Sequence, residues 1–144
     1  MPIDINAKDF METFDIKKAT VGVFGHGYVG QAVEAFFKDH CDVKVYDKAK
    51  PTLNNVAEVV LNSELIFVCV PTPMKNDGSC HTGIVEEVLN TITQTLDIAG
   101  RARDTVVCII KSTIPAGFTE EMQEKFLPLR ILFSPEFLTE KSSI

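Results

Sequence analysis

Six residues near the start of the chain, Gly25-His26-Gly27-Tyr28-Val29-Gly30, have the types and spacing to hold a phosphate through main-chain atoms. Glycine at the first position suits a tight turn out of a strand, where a β-carbon would clash. At the second it lets the backbone approach a pyrophosphate, and at the third it lets a helix pack closely on a strand. A helix that begins at such a loop aims its N–H groups and positive dipole end at the anion. Asp47 stands 22 positions after Gly25, where an acid accepts hydrogen bonds from the hydroxyls of an adenosine ribose. The combination points to a dinucleotide. A carboxylate in that place repels a 2′-phosphate, so NAD is expected rather than NADP, with Lys48 and Lys50 close enough to weaken the preference. FAD and S-adenosylmethionine proteins use similar loops, so the glycines by themselves do not choose the cofactor.

Three further stretches carry hydroxyls and carboxylates: Val70-Pro71-Thr72-Pro73 with Asp77-Gly78-Ser79, Lys111-Ser112-Thr113-Ile114-Pro115-Ala116-Gly117, and Ser134-Pro135-Glu136-Phe137-Leu138. Each follows an apolar run, at the place where ligands bind beyond the carboxyl ends of strands in an open α/β sheet. Read locally, Ser112 and Thr113 could also cap a helix after Pro115, and Glu136 could be a turn acid.

The elements that must position these loops are legible in the hydrophobic period. Near-continuous apolar runs at 21–24, 43–46, 65–70, 105–110 and 131–133 read as strands buried on both faces. Between them the period becomes helical. The stripes are Val29, Ala32, Val33, Phe36 and Phe37, then Leu53, Val56, Ala57, Val60 and Leu61. Ile84, Val85, Val88, Leu89, Ile92 and Leu96 form the longest, and Phe118, Met122 and Phe126 the last. Alternating strands and helices imply an α/β fold, a Rossmann-type doubly wound parallel sheet of about five strands with helices on both faces. The segment Lys48 to Thr52 is too short for the usual third, edge strand, which is expected to be vestigial or missing. Residues 1–19 read as an amino-terminal extension with a short helix around Phe10, Met11 and Phe14, and residues 20–144 as one NAD-binding domain.

Taken together and in order, GHGYVG, VPTP, DGS, KSTIPAG and SPEFL resemble the UDP-glucose/GDP-mannose dehydrogenase family over roughly residues 20–140. That resemblance implies oxidation of a nucleotide sugar's primary alcohol to a carboxylate with two NAD. It implies that Gly25, Gly27, Tyr28, Val29 and Gly30 cradle the pyrophosphate and Asp47 holds the ribose. Pro71, Thr72 and Ser112 would line the rest of the cofactor, and Glu140 would contact it. Thr113 and Glu136 match the family's catalytic Thr and Glu, which position water and take up protons. Thr52 departs from the family, which often has a basic residue there, and His81 stands where an acid commonly follows DGS.

Bulk properties exclude other partners. Of 144 residues, 45% are hydrophobic and 24% charged, the balance of a globular domain. A net charge of −6 without a basic stripe argues against nucleic acid, and no apolar run is long enough for a membrane helix. The start, MPIDINAKDF, does not look like a secretory signal, so a cytoplasmic location is expected. Cys41, Cys69, Cys80 and Cys108 lack metal-ligand spacing, and no metal is expected. Cys80, in a polar loop, is the one candidate reactive thiol, and none of His26, His40 and His81 is assigned to catalysis.

The family's nucleophilic cysteine motif, its substrate-side lysine and its sugar-binding domain have no counterpart in these residues. The chain is therefore expected to be a truncated enzyme, inactive alone, that meets a nucleotide sugar only with the missing domain. A bare outer sheet face would favour homo-oligomers. Two other readings are a stand-alone NAD-binding module and a fragment of a hydroxyacid or 6-phosphogluconate-type dehydrogenase. The last would lack VPTP and PEFL.

Overall fold

Val, Ile and Phe runs of four or five residues are stiff, β-prone and apolar on both sides, so they are stable only in the middle of a layered sheet. The computed structural model describes residues 19–79 and 81–134. Residues 1–18 of the extension, Cys80, Glu136 and Glu140 lie outside the described residues. Five strands form one parallel sheet: β1 (Thr20–Phe24), β2 (Asp42–Tyr46), β3 (Leu65–Val68), β4 (Val107–Ile110) and β5 (Arg130–Phe133), in the order β2-β1-β3-β4-β5. Register pairs Phe24 with Tyr46 and Val68, Val68 with Ile110, and Ile110 with Phe133. All five carboxyl ends therefore reach one edge together, and the chain reverses direction across the sheet between β1 and β3. That reversal opens a crevice at this edge.

The helices are α1 (Tyr28–Phe37), α2 (Val56–Asn62), α3 (Gly83–Ala99) and α4 (Phe118–Lys125). Strand side chains alternate between faces. Phe24, Ile66, Val68, Cys108 and Ile110 pack with Val59 and Val60 of α2, Leu89 and Ile92 of α3, and Met122 of α4. Val21, Val23, Leu65, Phe67 and Val107 pack with Val33 of α1. Among the described residues, three helices thus cover one face and one covers the other, as right-handed crossovers in this strand order require.

The expected missing edge strand is replaced by a single 3-10 turn, Pro51–Leu53. Several local expectations are corrected. Leu53 lies in that turn and not on α2, which starts after Asn55, whose side chain accepts from Glu58 N at 3.0 Å. The buried stripe of α2 runs through Val59 and not Ala57. Phe36 is 62% exposed, resting edge-on against Phe37. β3 stops at Val68 and β4 begins at Val107, because Arg103–Thr105 forms another 3-10 turn.

Two contacts seat α2. Gly22 of β1 has no room for a side chain, since a β-carbon would fall 2.7 Å from Ser63 Oγ and 2.9 Å from a Val59 methyl. Arg101, just after α3, donates to the carbonyls of Val60, Leu61 and Ser63, each at 3.0 Å, and so satisfies the end of α2. Both contacts hold β3 and its following loop in place beside β1.

Candidate cofactor-binding site

The loop after β1 is built by sterics. Gly25 has φ +97°, and a β-carbon there would lie 2.7 Å from the Cys69 carbonyl. Its N–H donates to Tyr46 O at 2.8 Å, tying the loop to the end of β2. Gly30, in the first turn of α1, would place a β-carbon 1.8 Å from the Gly25 carbonyl oxygen. Helix and loop therefore touch through bare backbone. Gly27 differs from both: a β-carbon there meets nothing within 4 Å. Gly27 is also the N-cap of α1, and no side chain caps that helix.

Gly27 borders a cleft of about 570 Å³ at the carboxyl edge of the sheet, within the range of roughly 300–1,000 Å³ typical of ligand sites. Gly25, Tyr28 and Val29 line the same wall. Asp47 lines the wall beyond β2, Pro71 and Thr72 the wall beyond β3, and Ser112 and Thr113 the wall beyond β4. The cleft thus brings together nine residues expected from sequence. Gly30 is buried beneath it. Glu136 and Glu140 lie outside the described residues. Ala49, Cys69, Val70 and Lys111 also line the cleft; Val70 and Lys111 stand in the VPTP and KSTIPAG stretches but carry no role expected from the sequence, and Ala49 and Cys69 lie outside them. The position of Cys69 and Val70, immediately ahead of Pro71, was the available signal.

Asp47 Oδ2 accepts from the His26 N–H at 2.7 Å, and Oδ1 from the Ala49 N–H at 2.8 Å. Burial, the largest single influence, pushes this carboxyl up. The His26 and Ala49 hydrogen bonds and the neighbouring Lys50 charge outweigh it, holding the group below its ordinary 3.8. Asp47 is therefore a charged acceptor throughout the neutral range, and each oxygen keeps further lone-pair capacity. Ser112 does not cap a helix. Its hydroxyl donates to Val70 O at 2.7 Å, clasping the loops after β3 and β4, and α4 is capped by Gly117 without a side-chain bond. Thr113 is exposed beside it on the cleft wall. The DGS segment is a turn, with Ser79 N and Oγ donating to Asp77 at 3.0 and 2.6 Å, and it does not line the cleft.

Comparison with known proteins agrees with this geometry. The model for the UDP-glucose/GDP-mannose dehydrogenase family, NAD binding domain, matches residues 47–144. This chain belongs to that family. It is the family's NAD-binding domain, and its cofactor is NAD. The matched segment opens at Asp47, so the glycine loop lies ahead of it and rests on the geometry above.

A UDP-glucose 6-dehydrogenase of Streptococcus pneumoniae is 30% identical, aligned over 86% of this chain but 37% of its own length. One from Campylobacter jejuni is 31% identical over 63% of this chain and 22% of its own. The chain thus spans well under half of these family members. A UDP-glucose dehydrogenase structure from Pyrobaculum islandicum superposes with a TM-score of 0.70 at 24% identity, over 88% of this chain and 38% of that one. A GDP-mannose dehydrogenase from Pseudomonas aeruginosa gives 0.67 at 20% identity, over 86% and 37%. These two confirm the Rossmann-type fold.

The residues fit NAD. Protein packing accounts for Gly25 and Gly30, whereas Gly27 meets no protein atom and borders the cleft, where a side chain would narrow the space before α1. An anion there would lie at the start of α1, within the same cleft as the Asp47 carboxylate.

Proposed function

We propose that the cleft holds NAD with its adenosine ribose on Asp47, its pyrophosphate against the backbone of 27–30, and its nicotinamide end toward Thr72, Ser112 and Thr113. The open space beyond Gly27, in the same cleft as Asp47, is the observation that carries this reading. NAD supplies the hydride acceptor when bound. Asp47 accepts the ribose hydroxyls, α1 offers main-chain N–H groups, and the clasp from Ser112 to Val70 keeps two walls at a fixed spacing. Thr113 orders water at the nicotinamide end. Glu136, by its match to the family motif, takes up protons there, and Glu140 adds a contact to the cofactor.

In the whole protein this domain serves the oxidation of a nucleotide sugar, UDP-glucose or GDP-mannose, to a uronate for polysaccharide synthesis in the cytoplasm. The names of the relatives and the five ordered motifs support that reading. The 144-residue chain by itself is expected to bind NAD and turn nothing over. Oxidation needs a substrate held against the nicotinamide, and such positioning contributes about 7–11 kcal/mol to rate enhancement. It also needs a thiol to hold the aldehyde stage. Cys69 is buried in the cleft wall, and burial pushes the Cys108 thiol up to about 12.

The test is absorbance at the NADH band after mixing purified chain, NAD and UDP-glucose or GDP-mannose. A flat trace, with NAD binding present, is the expected result. Sustained NADH formation would place a working substrate site within these residues, with Cys80 the first to mutate.

A further inference from the structure

His26 stands between two loop glycines, and every polar group it owns is engaged. Its N–H donates to Asp47 Oδ2 at 2.7 Å. Its carbonyl accepts from Lys50 Nζ at 2.7 Å and Gln31 Nε2 at 3.1 Å. Its ring Nε2 lies 2.7 Å from Glu34 Oε1, and Nδ1 lies 3.0 Å from Lys50 Nζ. An ammonium only donates, so Nδ1 accepts from Lys50 and Nε2–H donates to Glu34. The His26 side chain is 19% exposed and that of Glu34 36%. Neither these two nor Lys50 lines the cleft, whose wall here is Asp47 and Ala49. The cluster grips the loop from behind.

We propose that His26, held by Lys50 and Glu34, is a positioning residue that fixes the glycine loop in its binding shape before NAD arrives. The proposal rests on reading the cleft as the NAD site. A loop with glycine on either side of one residue has little intrinsic restraint, and its ordering would otherwise be charged against binding. Lys50 reaches from the β2 side and Glu34 from α1, so one imidazole links both elements that flank the phosphate position. Lys50 acts through His26 and not on the cofactor.

Calorimetric titration with NAD of the wild type, His26→Ala, Lys50→Met and the double variant separates these roles. Each single variant should bind about tenfold more weakly, the equivalent of ordering one residue's backbone during binding. Because Lys50 also holds the main-chain carbonyl at position 26, which His26→Ala keeps, the double variant should lose more than either single one but well short of their product, and Lys50→Arg should retain most of the affinity. Without NAD, amides 26–30 should exchange hydrogen faster in each single variant while those of α3 stay unchanged. A double-variant loss that reaches or exceeds the full product of the single losses, near 100-fold, would show Lys50 acting on the cofactor independently and overturn the proposal. Unchanged affinity or unchanged loop exchange would overturn it as well. If the wild type itself bound no NAD, the reading of the cleft would fail and this proposal with it.

Discussion

Gly27→Val is expected to abolish NAD binding while leaving the folded chain intact. The added β-carbon meets no protein atom within 4 Å, and φ −86° lies outside the left-handed region that favours glycine. Stability should therefore fall by no more than about 1 kcal/mol, the cost of a poorer N-cap residue on α1. The side chain would stand in the cleft at the mouth of α1 and keep an anion away from main-chain N–H groups. Losing two charge-assisted hydrogen bonds of about 1.5–3 kcal/mol each weakens binding by at least roughly 100-fold. Thermal melting alongside calorimetry checks both halves. A variant that melts like the wild type and binds NAD normally would mean that the loop does not hold the pyrophosphate.

Gly30→Ala should do the reverse and damage the fold first. Its β-carbon would lie 1.8 Å from the Gly25 carbonyl oxygen and 2.9 Å from the Gly25 carbonyl carbon, both backbone atoms. No rotamer relieves that clash, so α1 must move off β1, carrying Val33 out of its packing with Val21 and Val23. Overpacking of this kind costs about 3 kcal/mol, and for a domain this size lowers the melting temperature by on the order of 10 °C. Melting within a degree or two of the wild type would show that helix and loop are not packed as described.

Most of the architecture could be read from local signals. Apolar runs longer than a surface strand needs, separated by stripes of helical period, are enough to specify a parallel sheet and its helices. The short span between Asp47 and Leu53 revealed that no edge strand could fit. Glycine spacing and an acid just after β2 pointed to residues that line one cleft, because those positions are dictated by chain geometry within one βαβ unit.

What the sequence hid depends on pairings across long separations. The bond from Lys50 to His26 spans 24 residues and that from Ser112 to Val70 spans 42, and neither leaves a periodic trace. His26 read as a lone histidine because its partners, Glu34 and Lys50, sit on different elements. Ser112 lines the cleft as the sequence suggests, but it caps no helix and its hydrogen goes to a neighbouring loop. The start of α2 was misplaced for a nearer reason. Leu53 fits the apolar stripe, but the Asn55 cap with Glu58 three residues on outweighs it. Phe36 shows the limit of a stripe drawn too wide, since α1 packs on β1, β2 and β3 with Val33 at its centre.

Calorimetric titration of the unmodified chain with NAD and NADP side by side is the most direct test of the cleft as an NAD site governed by Asp47. In the proposed reading this carboxylate meets the adenosine ribose, and its hydrogen bonds hold it ionised at neutral pH. Repulsion of a 2′-phosphate, still worth about 1.4 kcal/mol or more after screening at such short range, predicts one-site binding of NAD at least about tenfold tighter than NADP. Equal affinity for the two, or no binding of NAD, would contradict it.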